Sequence, residues 1–246
     1  MSSRLVLTAI TCLWLSAMAF AYPPKEKEPT GQTVDSGSFG IFVNGSRVAT
    51  ETFSVQQSAA GSVANSEFRT EVGDKSVQTS ALELDASGDV RKYQWKEVSP
   101  GKAEAVVMPN NDFLTERSTD NPQAKPQEQP FLLPSSTSIL DDYFFIQREI
   151  LAWKYLATGC RREKGQVQCP QNQKVQFGTL NPHQRSSMLV SLEFTGRDKI
   201  QIKGADRELN HFILKLESGD WGLWLDDQFK LVRIYVAEDR TEVVRD

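Results

Sequence analysis

The chain has 246 residues, 28 of them basic and 32 acidic, which gives a formal net charge of −4. A mildly acidic chain lacks the clustered Lys and Arg side chains that bind nucleic acid or anionic lipid surfaces by charge alone. A hydrophobic content of 39% is enough for a core at this length, which a single all-β domain can reach. Composition therefore excludes an electrostatic nucleic-acid binder and predicts a globular protein.

The first 21 residues have the pattern of a secretory signal peptide. Arg4 supplies a positive charge, a short apolar run follows over residues 5–15, and the small-x-small motif at 19–21 precedes Tyr22. A transmembrane helix would need about 20 apolar residues, and this run is shorter. The sequence therefore predicts an exported, periplasmic protein that is soluble after cleavage and has no transmembrane segment in the mature chain.

Two cysteines, Cys160 and Cys169, remain once the predicted leader with its single cysteine is removed. An even pair in an oxidising compartment favours a disulfide bond. Zinc would need four ligands of the Cys or His type, and only His183 and His211 could complete such a set. We therefore predict a Cys160–Cys169 disulfide, no metal and no other cofactor.

The folded part of the chain begins with β-rich sequence. Residues 22–37 are polar and rich in Pro, Lys and Glu, which predicts a flexible N-terminal segment. Asn44-Gly45 then forms a hairpin turn between β-rich runs at 39–43 and 47–56. Turn signals recur about every ten residues, which is typical of an antiparallel curved sheet. The further predicted strands are 64–72, 76–84, 90–98, 103–108 and 112–117.

Residues 118–130 interrupt this pattern with three prolines and no apolar periodicity, which predicts a long Pro/Gln-rich loop. Strand-rich segments lie on both sides of the loop, so one continuous sheet and two small β domains both fit the sequence. We expect a single antiparallel β domain over residues 38–246. A loop of this length is either plain surface structure or a functional lid.

Residues 138–157 carry the one clear helical pattern. Ser138 and Asp141 fit an N-terminal capping box, and Gly159 follows where a C-terminal cap is expected. The apolar stripe is too wide for a surface helix, so this helix is predicted to cover one face of the sheet. The stripe contains Ile139, Tyr143, Ile146, Ile150, Trp153 and Ala157.

The chain after the helix returns to strands. Trp221 and Trp224 fall on opposite faces of one short strand, because side chains alternate along it. Ordinary core packing explains these aromatic residues, and so does an apolar ligand cavity. The adjacent Arg161 and Arg162 follow the helix C-terminus, where cations are favourable, and they could also form a partner-binding patch. The predicted strands are 175–180, 188–194, 199–203, 209–216, 221–225 and 229–236.

Catalytic motifs are absent from the sequence, which contains no G-x-S-x-G, P-loop, dinucleotide glycine fingerprint or H-E-x-x-H. His183 lies in a turn after Pro182, and His211 lies in a predicted strand. Asp141 and Asp142 are interpreted as partners of the helix dipole. The residues therefore favour a protein that is not an enzyme, and a hydrolase with an unrecognised site is the least favoured alternative.

The order of these features resembles a group of uncharacterised bacterial periplasmic domains. The opening hairpin at 39–53, the Asp-led helix start at 140–143, and Trp-Leu-Asp-Asp at 224–227 before 231–234 carry the resemblance, which covers most of residues 38–240. That group is similar in fold to the outer-membrane lipoprotein carriers and their insertion receptor, a half-barrel with a helical lid over an apolar cavity. The resemblance implies lipid or lipoprotein handling and no catalytic residues.

The sequence therefore predicts a mainly β protein in which an antiparallel half-barrel sheet is covered by one amphipathic helix. We expect it to hold a lipid or a lipoprotein acyl chain between the sheet and the helix. An envelope scaffold or assembly factor that binds protein partners is the alternative. The candidate cavity residues are Tyr143, Ile146, Ile150, Trp153, Trp221 and Trp224.

The leader pattern predicts that the mature chain begins at Tyr22. Intact-mass analysis of protein from the envelope fraction should give the mass of residues 22–246. A mass that still includes residues 1–21 would contradict this prediction.

Overall fold

The computed structural model describes residues 31–246, so the predicted signal peptide and residues 22–30 lie outside the described residues. The described part contains seventeen strands and one α-helix. The strands before the helix are β1 Gln32–Val43, β2 Ser46–Ser58, β3 Gly61–Thr70, β4 Val77–Asp85, β5 Val90–Ser99, β6 Glu104–Asn110, β7 Phe113–Thr119, β8 Gln127–Phe131 and β9 Ser138–Ile139. The helix α1 spans Ile146–Gly159 and is followed by β10 Arg161–Glu163, β11 Gln166–Gln168, β12 Lys174–Asn181, β13 Ser186–Ile202, β14 Ala205–Leu216, β15 Gly219–Leu225, β16 Leu231–Val236 and β17 Thr241–Arg245.

Fifteen of these strands form one sheet in the order β8 to β1, then β17 to β12, then β9. The two halves join where β1 pairs antiparallel with β17, with Phe39 opposite Arg245. Every neighbouring pair in the sheet is antiparallel except β9 and β12, which run parallel over two residues. The sheet is not closed into a barrel, and the predicted fold class of an antiparallel sheet with one helix is confirmed.

Alternation along the strands decides which side chains enter the core. On β2, Ala49, Glu51, Phe53 and Val55 are buried, and the residues between them are more exposed. The hairpin that leads into β2 turns at Asn44 and Gly45, both with positive φ, as the Asn-Gly pair predicts. One face of the N-terminal half of the sheet therefore forms the core.

The helix begins eight residues later than the sequence predicts. Ser138 and Ile139 are extended as β9, and the Leu140 amide donates to the Leu180 carbonyl oxygen at 3.0 Å. The predicted capping box is therefore wrong, because this segment satisfies its backbone by pairing with β12 instead of by entering a helix. None of the helical structure within residues 31–246 has the length and apolar character that a membrane span requires.

The predicted loop at 118–130 contains a strand. β8 forms the edge of the sheet and pairs with β7, with Pro130 opposite Thr115. Proline lacks an amide hydrogen and is tolerated at an edge, where one side of the strand has no neighbour. Residues 127–131 of the Pro/Gln-rich segment therefore form an edge strand, and residues 120–126 connect it to β7.

The predicted flexible segment at 22–37 is also wrong where it can be compared with the structure, because β1 already begins at Gln32. Residues 32–37 of this polar segment form the beginning of β1. Asp35 is buried and accepts two hydrogen bonds from the Arg245 guanidinium, at 3.1 and 2.6 Å. This pair therefore ties the start of β1 to the end of the chain.

A second apolar cluster covers the opposite face of the sheet near its C-terminal strands. A bulge between Phe194 and Gly196 interrupts the pairing of β13 with β14, and bulges bend a strand. The cluster beyond this bulge consists of Ile202, Leu209, Trp224, Val232 and Val244. The C-terminal strands are therefore buried on both faces.

The predicted disulfide is confirmed, since Cys160 and Cys169 are bonded. The bond closes a small hairpin of β10 and β11 that follows directly after α1. It therefore holds the C-terminal end of the helix next to this hairpin.

Loss of the disulfide is expected to destabilise the protein. The variant Cys160→Ser/Cys169→Ser should lower the free energy of unfolding by about 2–3 kcal/mol, because the closed loop restricts the unfolded chain. Urea unfolding of the oxidised wild type and the variant measures this difference. Two free thiols in the purified protein under denaturing, non-reducing conditions would contradict the assignment.

Candidate functional site

The first turn of α1 places three consecutive polar side chains in the protein interior. Gln147, Arg148 and Glu149 have relative exposures of only 2%, 3% and 0%. The Gln147 Oε1 atom accepts from the Asp141 amide at 2.6 Å, and Arg148 donates to the carbonyl oxygens of Asp141 and Phe144. Polar residues of the first turn are therefore buried together with the apolar side of the helix. Each has a protein partner, although within residues 31–246 Gln147 Nε2 and Arg148 Nε donate no hydrogen bond and Glu149 Oε1 accepts none.

Glu149 connects α1 to the strands around the pairing of β1 with β17. Its Oε2 atom accepts from the Leu231 amide at 2.5 Å and from Arg245 Nη2 at 3.0 Å. Burial, and then the nearby Asp35 carboxylate, raise the pKa of Glu149 well above its usual range. Arg245 is shared by two buried carboxylates, so α1, β1, β16 and β17 are held by one network.

The cap of α1 comes from β2 and not from the residues before the helix. The Glu51 carboxylate accepts from the amides of Phe145 at 2.7 Å and Ile146 at 3.4 Å, and from Ser66 Oγ at 2.5 Å. These are amides that an isolated helix leaves without partners. Burial raises the pKa of Glu51 to about 7, although these hydrogen bonds oppose the change.

Farther along α1, apolar side chains are only partly covered by protein. Ile150, Trp153 and Leu156 are half-buried and Ala157 is exposed, whereas Leu151 is buried. A surface helix normally buries its apolar side and exposes its polar side. Part of the apolar surface of α1 is therefore left beside open space.

One cavity lies between this side of α1 and the ends of β2 to β4. We call it the helix cavity, and its volume is about 370 Å³. Its polar lining includes Asp85, Thr137 and Lys154. Its apolar lining consists of Leu82, Leu84, Ile139, Ile150, Leu151 and Trp153.

A second cavity adjoins the first at the C-terminal end of α1. We call it the hairpin cavity, and its volume is about 570 Å³. Gln57, Trp153 and Ala157 line both cavities. The Trp153 indole Nε1 donates to the Phe229 carbonyl oxygen at 2.7 Å, which fixes the ring where the cavities meet. The other apolar lining residues are Val34, Leu156, Cys160 and Val167.

Two of the six predicted cavity residues, Ile150 and Trp153, line these cavities. Ile146 is 1% exposed in the core. Tyr143 lies before the helix, and its ring centroid is 5.3 Å from that of Phe68. Of the predicted helical stripe, Ile146 therefore lies in the core, Tyr143 lies in the segment before the helix, and Ile150 and Trp153 line the cavities.

The two tryptophans of β15 lie on opposite faces of the sheet. Trp221 packs against the main core, with the Arg148 guanidinium 5.1 Å from its ring centroid. Trp224 belongs to the second cluster and stacks on His211 at 4.6 Å. Neither residue contributes to the lining of the helix cavity or the hairpin cavity.

His183, which the sequence left without a role, is part of a buried polar cluster. Its Nδ1 atom lies 2.5 Å from Asp141 Oδ2, which also accepts from Tyr93 Oη at 2.6 Å. Its Nε2 atom lies 2.8 Å from Gln78 Oε1, and its ring stacks on Trp95 at 3.9 Å. In a Ser–His–Asp triad that second nitrogen contacts the nucleophile, whereas here it contacts an amide.

Glu116 belongs to the same region. It is 1% exposed, and Arg185 Nε lies 3.4 Å from its Oε1 atom, although neither carboxylate oxygen accepts a hydrogen bond. Burial raises the pKa of Glu116 to about 7. Among residues 31–246, no three His, Cys, Asp or Glu side chains are grouped to hold a metal ion.

Comparison of the chain with protein-family models, curated proteins and solved structures gives no match. The resemblance to lipoprotein carriers therefore stays a prediction. The functional proposal below is therefore based on the two cavities beside α1.

The cap provided by Glu51 predicts a pH effect on stability. The folded pKa of about 7 lies above the ordinary value of 4.5, so the folded state binds this proton more tightly. The contribution of Glu51 is complete below about pH 4.5 and is lost as the pH rises through 7. When the pH is raised from 5 to 7.5, the free energy of unfolding of the wild type should therefore fall by about 1–3 kcal/mol more than that of the Glu51→Gln variant.

Urea unfolding at the two pH values measures this difference. Glu128→Gln is the matched control, because the Glu128 side chain is 65% exposed on β8. An identical loss of stability in wild type and Glu51→Gln would contradict the role of Glu51.

Proposed function

We propose that this protein is a non-enzymatic binding protein that holds an acyl chain in the helix cavity and the hairpin cavity. The observation that carries the proposal is the orientation of α1. Its polar residues Gln147, Arg148 and Glu149 are buried, while Ile150 and Trp153 border open space. An apolar chain in that space would supply the missing cover.

The sizes of the cavities fit such a ligand. Volumes of about 370 and 570 Å³ fall within the range of about 300–1,000 Å³ that is usual for small-molecule sites. Each buried methylene contributes about 0.8 kcal/mol, so ten of them contribute about 8 kcal/mol before the costs of association. Few polar contacts are then needed for useful affinity.

The wall of the helix cavity opposite α1 consists of closely paired strands. Gly61 has φ +138°, and a Cβ atom there would lie 2.0 Å from the Leu84 carbonyl oxygen. This close approach requires glycine and brings the turn between β2 and β3 against β4. A wall of paired strands is a preformed surface, which lowers the entropic cost of binding a chain.

The proposal includes export and action in the periplasm. The Cys160–Cys169 disulfide supports it, because such bonds persist in oxidising compartments and are rare in reducing ones. The ligand would then be a lipid or the acyl chain of a lipoprotein.

One observation favours a second function, which is a scaffold that binds protein partners. β8 is an edge strand whose residues 127–130 are exposed, and Leu132 beside it is 81% exposed. An extended peptide could add to such an edge. Mass spectrometry of organic extracts separates the two functions, since only the acyl-chain carrier should retain a lipid through purification from the native envelope without detergent.

A comparison of two isoleucines on α1 tests the cavity directly. Ile146→Ala should lower the free energy of unfolding of the delipidated protein by about 2–5 kcal/mol, because Ile146 is in the packed core. Ile150→Ala should cost much less, because that side chain borders a cavity. Urea unfolding gives both values.

In the same experiment, Ile150→Ala should weaken the binding of an uncharged acyl probe. A core-sized loss of stability for Ile150→Ala, together with no lipid in native extracts, would contradict the proposed function.

A further inference from the structure

The hairpin cavity has a charge pattern that the acyl-chain proposal does not explain. Its lining includes Arg161, Arg162 and Lys230 and no acidic residue. The lining of the helix cavity, by contrast, contains both Lys154 and Asp85. Three cations without an acid stand out in a chain with a net charge of −4.

Only one of these three cations has its charge compensated by the protein. Lys230 Nζ lies 3.2 Å from Asp35 Oδ1. Within residues 31–246, no carboxylate lies within ion-pair distance of Arg161 or Arg162, whereas ten other arginines or lysines on strands form such pairs. The neighbouring Glu163 is paired through its backbone with Gln166 and forms no ion pair with either arginine. The two guanidinium groups are therefore free to bind an anion.

The backbone of the two arginines is held by strand pairing and by the neighbouring disulfide bond. Arg161 pairs with Gln168 and Arg162 with Val167 in the hairpin of β10 and β11. The Cys160–Cys169 disulfide closes this hairpin directly after α1. Both side chains are exposed and both contribute to the lining of the hairpin cavity.

We propose that the ligand carries one anionic group, a carboxylate or a phosphate, at one end of its acyl chain, and that Arg161 and Arg162 bind this group at the hairpin cavity. The chain would extend past Trp153 into the helix cavity. The inference rests on the proposed function and specifies its ligand class. Guanidinium groups suit this role because their planar donors match carboxylate and phosphate oxygens.

A membrane surface is a poorer explanation of the same cations. Binding to anionic lipid surfaces requires a broad basic segment, usually of several Lys and Arg residues. This chain has more acidic than basic residues, and the two arginines lie at the rim of a cavity. A single anionic group attached to a buried chain fits both observations.

Displacement of the uncharged fluorophore N-phenyl-1-naphthylamine from the delipidated, disulfide-bonded protein tests the inference. The competitors are dodecanoate, dodecyl phosphate and dodecanol, each below its micelle concentration, with acetate and inorganic phosphate as chainless anions. At low ionic strength, at least one anionic amphiphile should bind about tenfold more tightly than dodecanol. Preference for one of the two anions distinguishes a fatty acid from an acyl phosphate or phospholipid head group.

The variant Arg161→Gln/Arg162→Gln should reduce that preference, the ratio of anion affinity to dodecanol affinity, to about threefold or less. Lys164→Gln/Lys125→Gln is the matched control, because it removes the same charge from exposed residues that line neither cavity. The control should keep the wild-type preference.

Each failure has a distinct meaning. Equal wild-type affinities for dodecanol and both anions would overturn the anionic ligand while leaving an acyl-chain site intact. An equal loss of preference in both double variants would overturn the assignment to Arg161 and Arg162. Failure of the fluorophore and all three amphiphiles to bind would overturn the proposed function itself.

Discussion

The hydrogen bonds between the buried Glu51 carboxylate and the N-terminus of α1 determine how the helix lies on the sheet. Glu51 comes from β2, and Glu149 on the helix bonds in turn to Arg245 on β17. A buried donor or acceptor that loses its hydrogen-bond partner typically costs about 1–3 kcal/mol, so these contacts oppose rotation of the helix. The strands at both ends of the chain are therefore joined through the first turn of one helix.

Open space lies beside part of the rest of α1. Ile146 and Leu151 of this helix are packed in the core, whereas Ile150 and Trp153 border open space. Trp153 is instead held by its bond to the Phe229 carbonyl oxygen, at the junction of the two cavities. Polar contacts in the first turn and apolar packing of Leu151 and Tyr155 hold the helix, and the surface around Ile150 and Trp153 is open to a ligand under the proposed function.

Much of the sheet could be predicted from the sequence, because strand alternation, the Asn44-Gly45 turn and the Cys160–Cys169 pair depend on short stretches of chain. The loop predicted at 118–130 is correct only for residues 120–126, because residues 127–131 form an edge strand beside β7. The predicted helix was wrong over 138–145 because residues 138–139 pair with β12, which is distant in sequence, and such pairing overrides local propensity. At the candidate site, Ile150 and Trp153 could be predicted from helical periodicity, whereas the capping role of Glu51 could not.

The sequence by itself determined the mainly β class, the single helix and the disulfide, because each follows from residues close together in the chain. Only the tertiary structure decided which side of α1 is buried, since that depends on Glu51, which lies 94 residues before Phe145. It also decided that His183 meets Asp141 and Gln78, and that Arg161 and Arg162 border a cavity. Contacts between distant residues carry no periodic signal in a single sequence, so the site is visible only once the sheet brings them together.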